Sequence, residues 1–152
     1  MVQGKRLDEI TGQVVDAAIQ VHRTLGPGLL ESAYEACLVS ELVQRGFLVE
    51  RQKELPVVYR DIQVDCGYRL DILVERQVIV EVKAVDKLAP IHEAQVITYL
   101  RLSGSKVGLL MNFNVPLLKD GLRRLVNDYP ETVTNSANSA NSAVSSKSKE
   151  EV

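Results

Sequence analysis

A mixed α/β fold, with a central sheet flanked by helices, follows from three observations. Apolar residues recur at helical spacing through Leu7–Leu25 and Leu29–Arg45. Two short apolar runs, Tyr68–Val74 and Val78–Ala84, have the length and β-branched content of paired strands. A further helical segment then separates them from one more apolar run, Lys106–Phe113. That order is what a crossover to a parallel strand requires.

The first helix carries Ile10, Val14, Ala17, Ala18 and Val21 as a core-facing stripe, and Gly26-Pro27-Gly28 ends it. The second carries Leu30, Ala33, Tyr34, Cys37, Leu38, Glu41 and Leu42, with Gly46 closing it. Phe47–Arg60 reads as extended chain interrupted at Pro56. Asp61 marks a turn, and Ile62–Tyr68 leads into the two apolar runs. Pro90 opens a third helix to Leu102, a position where its missing N–H costs nothing. Ser103-Gly104-Ser105 breaks that helix, Lys106–Phe113 is a buried strand, and Pro116–Asn127 reads as a final helix. From Thr134 onward an Asn-Ser-Ala triplet repeats to Ala143, followed by Ser, Lys and Glu. Such a segment cannot bury apolar surface. The expectation is one domain over residues 1–133 and a disordered tail over 134–152.

Composition narrows the class. A chain of 152 residues with 45% hydrophobic and 25% charged residues is an ordinary soluble domain, large enough for a core. No apolar stretch approaches the roughly 20 residues of a membrane helix. No apolar segment follows the polar Met1–Ile10, so a cytoplasmic protein is expected. Cys37 and Cys66 lie far apart without CxxC spacing, which suggests neither a zinc site nor a disulfide framework. The net charge of -2 argues against tight non-specific binding of long duplex DNA. It leaves room for a small or transient nucleic-acid substrate, beside the local cations Arg101, Lys106, Lys119, Arg123 and Arg124.

The chemistry concentrates in the hairpin. Asp71 stands in the first apolar run and Glu81-Val82-Lys83 in the second. Charged groups among β-branched residues are costly to bury unless they pair or hold a metal. An acid, followed by an acid and a lysine two residues apart, suits metal-dependent phosphodiester hydrolysis. The polar Glu75-Arg76-Gln77 lies midway, so a three-residue turn centred on Arg76 sets Asp71 opposite Glu81. Alternation puts Ile79, Glu81 and Lys83 on one face and Val78, Val80 and Val82 on the other. A salt-bridge cluster at a sheet end is the competing explanation of the same residues.

Gly28-Leu-Leu-Glu31-Ser-Ala-Tyr34 has the spacing G-x-x-E-x-x-Y. With Asp71, Glu81-Val-Lys83 and Gln95-Val-Ile-Thr-Tyr99 in that order, the chain resembles the GxxExxY family of the PD-(D/E)XK nuclease-like superfamily, from about Leu7 to Asn127. Leu70 stands where the superfamily's name has a proline. The resemblance implies a restriction-endonuclease-like core, with the acids matching Asp71 and Glu81 ligating Mg²⁺ or Mn²⁺. It implies that Glu31 completes the metal shell and that the carbonyl of Val82 assists. Lys83 would orient the attacking water, and Gln95 and Tyr99 would lie beside the metal as in RecB-like exonucleases.

The residues themselves fit these roles and also plainer ones. Two carboxylates plus water and phosphate oxygens are a common Mg²⁺ shell. Lys83 beside two acids suits charge stabilisation and water positioning better than general-base work. Glu31 in the first turn of its helix also meets the helix dipole favourably, and Tyr34 equally suits a core position. His92, Gln95 and Tyr99 form one polar stripe on the third helix, directed either to a cleft or to solvent. His22 either approaches the site or answers the dipole at its helix end. Gly26 and Gly28 do not form a phosphate loop, since no strand precedes them and no GK[ST] follows. The function expected is a metal-dependent nuclease acting on DNA, with a homodimer as one form of the active unit. The alternative is a catalytically silent nuclease-like fold that binds nucleic acid or protein within a complex.

Overall fold

The stripe Ile10, Val14, Ala17, Ala18 and Val21 winds into α1 (Leu7–Leu25), and all five side chains are buried. In the computed structural model, which describes residues 6–127, α2 (Glu31–Gln44) starts two residues later than its periodicity implies, because Leu30 is the extended residue capping it. The predicted tail over 134–152 and the outer edges of the predicted domain lie outside the described residues. Tyr34 fixes the connection between the helices. Its hydroxyl donates to the Gly26 carbonyl, accepts the Leu29 N–H at 3.1 Å, and its ring stacks on Phe113 at 4.6 Å.

Among the described residues seven strands follow: β1 (Val49–Glu54), β2 (Val57–Tyr59), β3 (Ile62–Val64), β4 (Arg69–Val74), β5 (Val78–Lys83), β6 (Val107–Asn112) and β7 (Leu122–Val126), with α3 (Pro90–Ser103) between β5 and β6. Pro56 separates β1 from β2, which pairs only with β3. The other five form one sheet in the order β1-β4-β5-β6-β7. β5 and β6 are parallel, joined through α3, and the remaining pairs are antiparallel.

The β4–β5 turn has Glu75 and Arg76 at φ 53 and 56, with Gln77 N–H donating to the Val74 carbonyl at 2.9 Å. The register runs Val74↔Val78, Leu73↔Ile79, Ile72↔Val80. Continued by one pair, it sets Asp71 across from Glu81. Helices cover both faces. Ile72, Val74, Val78, Val80 and Val82 pack with α1 and α2, while Leu70, Leu73, Ile79 and Leu110 pack with Val96, Tyr99 and Leu100 of α3. Each buried aliphatic side chain contributes about 1.5–3 kcal/mol, so the alternation from Ile72 to Val82 is held firmly, and Leu70 departs from it by joining the α3-side cluster at the start of β4.

One predicted element is overturned. The segment Pro116–Asn127 is not a helix: a 3-10 turn (Leu118–Gly121) leads into β7, antiparallel to β6. Leu118, Leu122 and Leu125 fit helical spacing, but β6 is buried throughout and its outer edge needs hydrogen-bond partners. Pairing with β7 meets that need, and Asn127 N–H continues it to the Lys106 carbonyl at 2.9 Å. Among the described residues no helix is long and apolar enough to cross a membrane.

Gly108 lets α3 lie close on β6. A Cβ there would stand 2.7 Å from Val96 Cγ1 and 3.4 Å from Leu100 Cδ2. Gly108→Ala is therefore expected to cost about 1–3 kcal/mol through overpacking. Urea unfolding checks this as a lower midpoint at unchanged slope; a midpoint equal to the parent's would show that the α3–β6 contact has slack.

Candidate active site

Strand parity brings the acids together. Glu81 follows Ile79 on the α3 side of the sheet and is only 4% exposed, while Asp71 is half-buried beside it. Asp71 N–H donates to Glu81 Oε2 at 3.0 Å, and Val82 N–H donates to Asp71 Oδ2 at 2.8 Å. Each carboxylate is thus held by a backbone donor of the opposite strand. Burial, and then the charge of Asp71, pushes the Glu81 carboxyl up to about 8, against the opposing pull of the Asp71 N–H and Lys83. Burial likewise raises the Asp71 carboxyl; Val82 N–H and Lys83 oppose, and the Glu35 charge adds to the rise.

A polar chain runs from the lysine to α3. Lys83 Nζ donates to Gln95 Oε1 at 3.4 Å, and Gln95 Nε2 donates to the Tyr99 hydroxyl at 3.1 Å. Burial and the nearby Glu81 charge raise the Tyr99 phenol. Asp71, Glu81, Lys83, Gln95 and Tyr99 therefore make up one polar cluster across β4, β5 and α3. Glu31 stands at its border, where Oε2 accepts the Ala84 N–H at 3.2 Å, one residue past Lys83.

Among the described residues no three His, Cys, Asp or Glu side chains close into a group that could hold a metal ion. The donor set the structure presents is the pair Asp71 and Glu81. Its oxygens suit a hard cation, and two carboxylates are what Mg²⁺ commonly takes from a protein. The pair also carries the mutual repulsion that a cation would neutralise.

Other residues take plainer places. His22 Nε2 lies 2.8 Å from the Val115 carbonyl, which ties α1 to the loop after β6 rather than to the site. His92 Nδ1 accepts the Ala89 N–H at 2.9 Å and caps α3. Asn112, 2% exposed, exchanges hydrogen bonds with Val85 at 2.9 and 3.0 Å and so fixes the chain just after Lys83. A lone amide closing an apolar run was its trace in the sequence. Glu35, 6% exposed, was missed; it lies one turn after Glu31 and bonds Arg51 and Gln52.

The raised Glu81 carboxyl makes a pH prediction. Below its ordinary value of 4.5 the group is protonated in folded and unfolded chains alike. Between 4.5 and about 8 the unfolded chain releases a proton that the folded chain keeps, so stability falls as pH rises. Relative to Glu81→Gln, the metal-free parent should lose on the order of a few kcal/mol between about pH 5 and about pH 8. Urea unfolding of both proteins across that range is the check, and parallel profiles would refute it.

A sequence model of the PD-(D/E)XK nuclease superfamily matches residues 8–125. That span takes in every element from α1 to β7, less one residue at either end. Searches of curated proteins and of solved structures returned no match. A match over most of the chain, on a five-stranded mixed sheet with helices on both faces, identifies the protein as a member of the PD-(D/E)XK nuclease superfamily.

Proposed function

We propose that the protein is a divalent-metal-dependent nuclease that hydrolyses phosphodiester bonds in DNA, and that it belongs to the GxxExxY branch of its superfamily. The observation that carries this reading is the Asp71–Glu81 pair, two acids held side by side and continued by the Lys83–Gln95–Tyr99 chain. Gly28, Glu31 and Tyr34 support the branch assignment through their spacing. Mg²⁺ or Mn²⁺ would be held by Asp71 and Glu81, with Glu31 supporting from the start of α2. When bound, the ion would polarise the scissile phosphate and lower the pKa of a water.

The chain's own residues supply the rest. Lys83 presents a cation where negative charge grows on the phosphorane oxygens. Gln95 fixes that ammonium through its carbonyl oxygen and orients Tyr99 through its amide. The Tyr99 hydroxyl, kept protonated by burial, is a donor for a phosphate oxygen. Cys37 and Cys66, both free, accord with action in the cytoplasm. With one such site among the described residues, cutting both strands of a duplex in one event would take a homodimer.

Incubation with single-stranded and duplex DNA plus Mn²⁺ tests the proposal. Asp71→Ala and Lys83→Ala are each expected to lose at least about a hundredfold in rate. Cleavage by Asp71→Ala at the parent's rate would sink the assignment. A second reading, a silent nuclease-like module that binds nucleic acid or protein in a complex, is favoured by the net charge of -2. Calorimetric titration with Mn²⁺ separates the two. The nuclease should bind the ion and Glu81→Gln should not, whereas the silent module gives no heat in either protein.

A further inference from the structure

Gln52 sits within β1 at φ 53, a left-handed backbone that only glycine adopts freely. The β1–β4 register passes from Arg51↔Ile72 to Lys53↔Leu70, so the position across from Asp71 is Gln52. Neighbours in a regular strand point to opposite faces and cannot share one partner. Here both reach the same carboxylate on α2. Arg51 Nε donates to Glu35 Oε2 at 2.6 Å, and Gln52 Nε2 donates to Glu35 Oε1 and Oε2 at 3.1 and 3.0 Å. Glu35 is buried, Arg51 is 43% exposed, and the Glu35 charge is felt at Asp71.

We propose that Arg51 is a phosphate-binding residue for the nucleic-acid strand at Asp71 and Glu81, and that Glu35 and Gln52 are positioning residues that aim it. This rests on the nuclease reading above. The Glu35 bond is made through Nε, which leaves the Nη1 and Nη2 fork for another acceptor. A guanidinium fork matches two oxygens of a phosphodiester, and one already anchored loses little freedom on binding. Lys83 reaches Gln95 on the α3 side of the sheet, whereas Arg51 stands on the α2 side. β1 ends the sheet beside β4, so Arg51 would meet the strand's backbone at that edge while Lys83 meets it beside the acids. In a chain of net charge -2, such placed cations do what a broad basic surface does elsewhere.

The test uses the full chain carrying Glu81→Gln, which keeps the strand uncut, in EDTA. Anisotropy of a labelled oligothymidylate is read across a range of salt concentrations. Adding Arg51→Ala should weaken binding roughly tenfold and reduce the slope of log affinity against log salt by about 0.7. Arg51→Lys should recover the slope but only part of the affinity, because the charge remains without the fork. Gln52→Gly keeps the left-handed backbone and removes the amide; it should weaken binding, where a purely structural role would lower only the unfolding midpoint. Arg51→Ala leaves Glu35 short of a partner, so the pair Arg51→Met with Glu35→Gln serves as a second variant and should show the same loss of slope. Unchanged affinity and slope in Arg51→Ala and in the Arg51→Met, Glu35→Gln pair overturn the inference and leave the nuclease reading standing. No binding by the Glu81→Gln protein itself counts against both.

Discussion

Asp71 and Glu81 each take a backbone N–H from the strand opposite, and that exchange ties the chemistry of the site to the register of the sheet. A slip of one residue would break both bonds and turn the acids onto opposite faces. It would also bring Val78, Val80 and Val82 out of the α1–α2 core that they now fill. The hydrophobic pattern therefore enforces the position of the carboxylates. Their burial in turn raises both acids, which makes the site costly in the absence of a counter-charge.

Two glutamines anchor the charged side chains around the acid pair. Gln95 accepts from Lys83 and donates to Tyr99; Gln52 donates to both oxygens of Glu35. An amide suits these positions because it offers a donor and an acceptor and adds no charge. A carboxylate at either place would add to the repulsion that already lifts Glu81, and a lysine at residue 95 would face Lys83. The site is thus two acids, with a cation on each side of the sheet held by a neutral or paired anchor.

Much of this was legible because it is local. The hairpin register follows from a period of two and a polar turn placed symmetrically between two runs, and α1 and α3 follow from their apolar spacing and from Gly26, Pro90 and Gly104. The final strand was not legible. Leu118, Leu122 and Leu125 satisfy a helical spacing, and only the open edge of β6, fixed by residues far away in sequence, decides for a strand. Gln52 left no trace, since glutamine has no preference for φ 53 and its partner Glu35 lies far off in sequence on α2. Of the polar stripe on α3, Gln95 and Tyr99 joined the site while His92 turned back to Ala89, a choice set by the start of the helix.

The G-x-x-E-x-x-Y segment acquires a mechanical meaning from the same contacts. Gly28, at φ 102, lets the chain turn between α1 and α2, and Tyr34 closes that turn through Gly26 and Leu29. Tyr34 also stacks on Phe113, the residue just past β6, whose N–H donates to the Lys83 carbonyl at 2.9 Å. Glu31 meanwhile holds the N–H of Ala84. Both sides of Lys83's peptide frame are therefore tied to one helix start, by an acid and by an aromatic stack. A lysine on the last residue of a strand would otherwise sit on the part of the sheet most prone to fraying. The motif reads first as the clamp that keeps Lys83 in line with Glu81, and any contribution of Glu31 to a metal shell is made from within that clamp.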